Sequence, residues 1–233
     1  ENGRFELRLG GEKAERNWLP LTPEASHITT RHYFETEQCA APDPTMEPSL
    51  LIEAVGVTET AAAPSDASVA AGIRRAAQFV RTRTLLQPPM ADAPSQPAFV
   101  GLVPNEFPPP VLPADLGLAA FDAHYSMAPY YLAPDEALVI TGRWPKCIFA
   151  NICLWNRWQQ TFDYRNRQIS LNRAQTELEA DGSFKMVLAH QDPGCKNWID
   201  TEGRALGLVF WRFFLMEGEV ETPQASVVKF SDL

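Results

Sequence analysis

No stretch of this chain is apolar for long enough to cross a bilayer as a helix. The longest, residues 205–216, is interrupted by Arg212 and falls short of the roughly 20 residues that a span requires. No membrane span is expected. Basic charge is also scarce: 20 Lys and Arg stand against 29 Asp and Glu, for a net charge of -9. Phosphate recognition needs a dense basic field, so nucleic acid and anionic membrane surfaces are poor candidates for a main partner, and only a local basic patch remains open. The four cysteines, Cys39, Cys147, Cys153 and Cys195, form no Cys-x-x-Cys pair and lack zinc-ribbon spacing. On one extended strand Cys147 and Cys153 would share a face about 20 Å apart, too far to bridge, so free buried thiols are expected.

Histidine is rare as well, with four in all. His190-x-Asp192 has the start of a two-histidine, one-carboxylate iron site, but no histidine follows it. His27 and His32 would point to opposite faces of a shared strand. No metal and no cofactor are expected. A Gly-x-Ser-x-Gly elbow and a phosphate-cradling glycine loop are both missing, which removes the commonest serine-hydrolase and nucleotide-binding signatures.

What is present reads as a folded β protein. Hydrophobic residues make up 45% and charged residues 21% of 233 positions, and the 20 prolines imply many non-helical connections. A degenerate internal repeat links the two ends. Phe5-Glu6-Leu7-Arg8-Leu9 leads through a polar loop to Asn17-Trp18-Leu19 and on to Arg31, Tyr33 and Phe34. Phe184-Lys185-Met186-Val187-Leu188 leads likewise to Asn197-Trp198-Ile199 and on to Arg212, Phe213 and Phe214. A repeated strand-loop-strand unit must bury its apolar face, so two copies suggest two halves of one β structure. Arg31 and Arg212 hold matching places among aromatics and are read as structural, each needing a partner such as a carboxylate, a carbonyl or an indole face.

Strands are predicted at 5–9, 27–34 and 49–56, and again at 136–144, 147–155, 184–190, 205–216 and 225–230. Between these sets the period changes. Ser65 or Asp66 can cap a helix with Val69, Ile73, Ala76, Ala77 and Val80 on one stripe, ended by Pro88-Pro89. Residues 87–113 are proline-dense and read as a surface arm or a linker, with a short helix predicted over 114–125. The strand around Leu208 and Phe210 carries Val209, Trp211 and Phe213 on its opposite parity, so both of its faces must be covered. The fold class is therefore mainly β: one antiparallel β-sandwich domain over 1–233, with a helical and Pro-rich insertion near 58–132.

Several stretches resemble the mainly bacterial family catalogued as domain of unknown function 1214. They are Tyr131-Leu132-Ala133-Pro134-Asp135-Glu136-Ala137-Leu138, Trp155-Asn156-Arg157-Trp158, Ser170-Leu171-Asn172, and above all His190-Gln191-Asp192-Pro193-Gly194 with Asn197-Trp198-Ile199-Asp200-Thr201. The resemblance covers about 130–233 best. It implies a jelly-roll type of antiparallel fold, often with an upstream partner domain, and no agreed activity. Gly203-Arg204 stands where the family pattern has Gly-His, so no role of that histidine carries over.

Two groups of residues carry candidate chemistry. His190, Asp192, Cys195 and Asp200 cluster around the loop before Trp198, where the first copy has only Gly-Gly-Glu. A histidine tuned by a carboxylate suits general-base work at neutral pH. Alternatively, Asp192 only caps the Pro193-Gly194 turn. The second group is Trp155, Arg157, Trp158, Gln159, Tyr164, Arg165 and Arg167, a mixture of rings, amides and guanidiniums able to line a polar-ligand cup, with Trp198 and Arg204 on a facing wall. Three functions follow: a module binding a small polar or anionic organic ligand; a hydrolase- or lyase-like enzyme with His190 as base; or a structural subunit of a homo-oligomer or of a larger multidomain protein, with the Pro-rich segment packed on a neighbouring copy or an upstream domain. The chain opens at Glu1 with no visible signal peptide; a removed leader or upstream domain is an expectation, and the compartment stays open.

Overall fold

Short apolar runs, several of them buried on both parities, organise the C-terminal part of the chain into sheets. The computed structural model describes residues 3–25, 27–40, 42–46, 48–56, 62–85, 96–113 and 119–233. Contacts divide the chain into two units, Glu1–Tyr33 and Phe34–Leu233. Described residues form ten strands and one α-helix in three sheets, so the protein is mainly β.

In the second unit β4 (Glu136–Gly142) lies between β10 (Gln224–Lys229) and β7 (Phe184–Ala189), antiparallel to both, while β8 (Trp198–Asp200) runs parallel to β7. The other four-stranded sheet has the order β3 (Ala123–Tyr131), β9 (Leu206–Phe214), β5 (Phe149–Trp155), β6 (Ser170–Asn172), all antiparallel. One apolar cluster joins the two sheets: Leu138, Ile140, Met186, Leu188 and Ile199 from the first meet Ile152, Leu154, Leu171, Val209 and Phe213 from the second. At its centre the fully buried Trp211 stacks on Phe184 at 5.8 Å and on Phe213 at 6.0 Å, with Trp144 and Phe107 against its edges. Such offset and edge-on ring contacts add to the burial term.

The opposite parity of β9 is covered too. Phe210 packs with Phe99 and Tyr125 in a second cluster that Val100 and Val111 of the Pro-rich segment complete. This segment is neither free arm nor linker where it is described. It satisfies the open edge of β3: Val111 exchanges both backbone bonds with Tyr125, Met127 N–H donates to Phe99 O at 2.7 Å, and Gly101 and Asn105 N–H donate to Met127 O and Pro129 O. Proline lacks a backbone donor, so a proline-rich chain can close an edge but not extend a sheet.

Several expected elements differ. The helix predicted over 114–125 is not formed where described, because Ala123–Tyr131 is the nine-residue strand β3; residues 114–118 lie outside the described residues. Pro129 hid this strand in the sequence, yet its nitrogen faces the Pro-rich segment, where no donor is required. Residues 27–34 and 49–56 form no strand. Leu51 and Ile52 are more than four-fifths exposed, and a lone apolar tract without a neighbouring strand cannot pair. The predicted helix is α1 (Asp66–Thr84), with Ser65 Oγ accepting from Ser68 N–H at 3.2 Å as N-cap. Pro88-Pro89 lie outside the described residues.

Among the described residues of the first unit only β1 (Arg8–Leu9) and β2 (Trp18–Leu19) are paired, in parallel. Their local geometry matches that of β7 and β8. Arg8 lies opposite Trp18 and Val187 opposite Trp198. Arg8 N–H donates to Asn17 O, as Val187 N–H does to Asn197 O. The Trp18 indole donates to Gly10 O at 2.9 Å and the Trp198 indole to Ala189 O at 3.2 Å, in each case two residues past the strand partner.

Candidate functional site

β7 delivers His190 at its C-terminal end, and the following turn is built by Asp192, whose Oδ1 accepts from Gly194 N–H at 2.7 Å while Gly194 holds a positive φ of 79°. Asp192 is thus engaged in shaping the turn. The His190 ring meets a different partner, with Nδ1 at 2.6 Å from Oγ1 of the buried Thr201. His190 and Gln191 line a cavity of about 320 Å³ together with Asp135, Glu136 and Lys229. Lys229 lies at 3.0 Å from Asp135 and 3.4 Å from Glu136, since β10 pairs with β4 and sets Lys229 opposite Glu136. The hydrogen bond to Asp135 raises the Lys229 pKa, and the same bond lowers that of Asp135.

Asp200 is committed elsewhere. It is buried at the end of β8, where Oδ2 pairs with Arg167 at 2.7 Å and Oδ1 accepts from Glu202 N–H at 2.7 Å. Asp200 N–H donates to Gln168 O, and the Gln168 amide donates to Lys196 O and Trp198 O. The 163–168 segment and the 190–200 loop are therefore hydrogen-bonded to one another. The three residues grouped as catalytic accordingly serve three arrangements: His190 on Thr201, Asp192 in its turn, Asp200 on Arg167.

Trp155 leaves β5 stacked on Phe210 at 4.3 Å with the ring planes only 11° apart. Asn156 then organises the next turn, its Oδ1 accepting from Trp158 and Gln160 N–H, and Gln159 takes a positive φ of 62°. This sets Trp158 into solvent at 60% exposure with the Arg157 guanidinium 5.0 Å from its ring centroid. A second such pair follows. Asp163 Oδ1 accepts from Arg165 and Asn166 N–H, and Arg165 lies 6.0 Å from the Tyr164 ring. The Asn166 side chain, with the backbone bonds from Arg165 and Asn166, lowers the Asp163 pKa.

The arginines in and beside the two four-stranded sheets differ in their partners. Arg143 pairs with Asp181, Arg167 with Asp200, Arg173 with Glu35 and Arg204 with Glu202, the last also lying over the Phe162 ring. Arg212 sits over the Phe210 and Tyr125 rings. Among the described residues Arg157 and Arg165 have an aromatic ring and no carboxylate partner. Trp198 is held by its indole bond to Ala189 O.

Sequence reasoning missed Thr201 and Lys229. Thr201 lies within the Asp200-Thr201 motif, but its bond to His190 depends on how β8 returns beside β7, and Lys229 reaches the cavity only through β10 pairing. A second cavity, about 400 Å³, lies on the other side of the loop and is lined by Lys185, Cys195, Lys196 and Glu177 among others. Neither cavity is lined by residues of the 155–173 segment. All four cysteines are free. Cys153 is buried, and desolvation pushes its pKa up to about 12, whereas Cys39 and Cys195 are exposed, against the expectation of buried thiols throughout. Among the described residues no group of three or more His, Cys, Asp or Glu side chains is placed to hold a metal ion, and no helix is long and apolar enough to cross a membrane.

No family model and no curated protein matches the chain. Among solved structures, an uncharacterized protein from Burkholderia cenocepacia is similar over 97% of this chain with 28% identity and a TM-score of 0.71. The VPA0106 protein from Vibrio parahaemolyticus aligns with half of this chain at 17% identity and a TM-score of 0.41. The chain spans 60% of the length of the Burkholderia protein.

Proposed function

We propose that this chain is a β-sandwich of the jelly-roll type, related to the domain of unknown function 1214 family, and that it binds a small polar organic anion on the 155–173 segment. The observation that carries this reading is the division of the arginines. Four arginines in the segments next to the strands, Arg143, Arg167, Arg173 and Arg204, are matched by carboxylates, while Arg157 and Arg165 are each presented beside an exposed ring on a turn held by its own side-chain bonds. A guanidinium without a carboxylate offers bidentate donors to a ligand carboxylate or sulfonate, and the neighbouring ring supplies a flat apolar surface for the rest of the molecule. Holding both on short turns lowers the ordering cost of binding. The family relation is supported by the places its motif takes: His190 to Gly194 form one turn, and Asn197-Trp198-Ile199 leads into β8. The matching geometry of β1–β2 and β7–β8 supports reading them as two copies of one unit.

The test is a thermal-shift screen of aliphatic and aromatic carboxylates and sulfonates, repeated on Arg157→Ala and Arg165→Ala. A compound that raises the melting temperature of the wild type should lose that effect in both variants, with affinity falling about tenfold or more per arginine. Unchanged shifts in the variants would move the site elsewhere.

A second reading, a hydrolase- or lyase-like activity, is favoured by one observation: His190 lines a cavity and its Nδ1 has a fixed partner in Thr201. Thr201 then orients the ring in place of a carboxylate. On this reading His190→Gln abolishes turnover of a substrate with little change in stability, and a variant that loses stability without any activity at stake counts against it.

A further inference from the structure

The two matching strand pairs differ in one respect, which is what covers them. In the second unit Phe184, Met186, Leu188 and Ile199 are at most 1% exposed. The corresponding residues of the first unit, set by the match of Arg8–Trp18 with Val187–Trp198, are Phe5, Leu7, Leu9 and Leu19, and they are 69%, 43%, 40% and 42% exposed. β7 has a second neighbour, the antiparallel β4, on the edge away from β8. Among the described residues β1 has only β2.

The open edge of β1 is chemically self-complementary. Arg8 and Gly10 N–H point to β2, where they donate to Asn17 O and Leu19 O. Of the two residues of β1, Leu9 turns its N–H and C=O to the other edge, and continuing the strand back through Leu7 to Phe5, as pairing with a second copy would, turns theirs the same way. An antiparallel partner with the same sequence, centred on Leu7, sets Leu7 opposite Leu7 and Phe5 opposite Leu9, all as hydrogen-bonded pairs. The same register sets Glu6 opposite Arg8 and Arg8 opposite Glu6 in the non-bonded positions, where side chains approach most closely. Antiparallel pairing about one residue is also what a two-fold axis generates. At present Glu6 and Arg8 pair only with each other, at 3.0 Å and largely in solvent.

We propose that the edge of β1 is a homodimer interface, in which β1 of a second copy takes the place that β4 takes beside β7, registered by two reciprocal Glu6–Arg8 ion pairs. The interface does not involve the Pro-rich segment, whose described part is used on β3.

The test exploits the reciprocity. By multi-angle light scattering the full chain should be a dimer, and Glu6→Arg and Arg8→Glu should each weaken it about tenfold by setting like charges opposite one another twice. Mixing the two variants in equal amounts should restore a dimer, because the all-basic strand then faces the all-acidic one; loss of the intrachain pair alone predicts no such recovery. Since both residues are exposed, folding is not at stake, and circular dichroism verifies it. In a Cys39→Ser, Cys195→Ser background, Leu7→Cys should form a covalent dimer under mild oxidation. A monomeric wild type at every concentration, or a dimer indifferent to both charge reversals and unrecovered on mixing, would overturn the proposal.

Discussion

Arg167 and Asp200 show at the level of single residues how the site and the fold share parts. Asp200 is buried and retains only the Glu202 amide if Arg167 is removed, so Arg167→Ala should lower the urea midpoint, because a buried carboxylate loses its charged donor. Arg157→Ala, at an exposed pair, should be neutral within about 0.5 kcal/mol. His124 gives a pH signature. Burial lowers its pKa below the ordinary 6.5, so the unfolded chain binds a proton that the native state refuses. Stability is then complete above 6.5 and declines as pH falls from 6.5 toward the lowered folded value. Urea midpoints measured at pH 8 and at pH 5.5 should differ in that direction, and His124→Gln should reduce the difference; an unaltered difference would assign it to other groups.

Among elements, β9 and β3 carry the most constraint. A Cβ on Gly207 would stand 2.5 Å from the Tyr130 ring across the β3–β9 pair, and Tyr130 is fully buried with its hydroxyl donating to Arg204 O. Gly207→Ala should therefore cost about 1–3 kcal/mol, seen as a lowered melting temperature. The elements that were legible in the sequence are those whose pattern depends on nearby residues alone: the alternation of 184–189, the opposed parities of β9, and the Ser65 cap of α1. β3 escaped because a proline within a strand is acceptable only on an edge, and nothing in the sequence says which strand is an edge. Residues 27–34 and 49–56 were over-read for the converse reason, as alternation without a neighbour is not a strand. For the site, composition alone marked the ring and guanidinium groups of 155–167. The alternative that Asp192 caps the Pro193-Gly194 turn was legible from that turn's residues and is what forms, but the Thr201 partner of His190, which arises from two strands meeting, and the pairing of Asp200 with Arg167 were not.

For the whole molecule, two four-stranded sheets close on Trp211, and truncating that side chain to alanine should remove about 3–5 kcal/mol, enough to unfold a domain of ordinary stability. Net charge of -9 then gives Arg157 and Arg165 their significance. In a field that repels anions, two guanidiniums beside exposed rings form a local exception, and binding there should weaken as ionic strength rises. The central claim is most directly tested by isothermal titration calorimetry of the best carboxylate or sulfonate from the thermal-shift screen into the wild type, Arg157→Ala, Arg165→Ala and the double variant. The account predicts one site per chain, weakened by each single change and lost in the double. Equal affinity in the wild type and the double variant would contradict it.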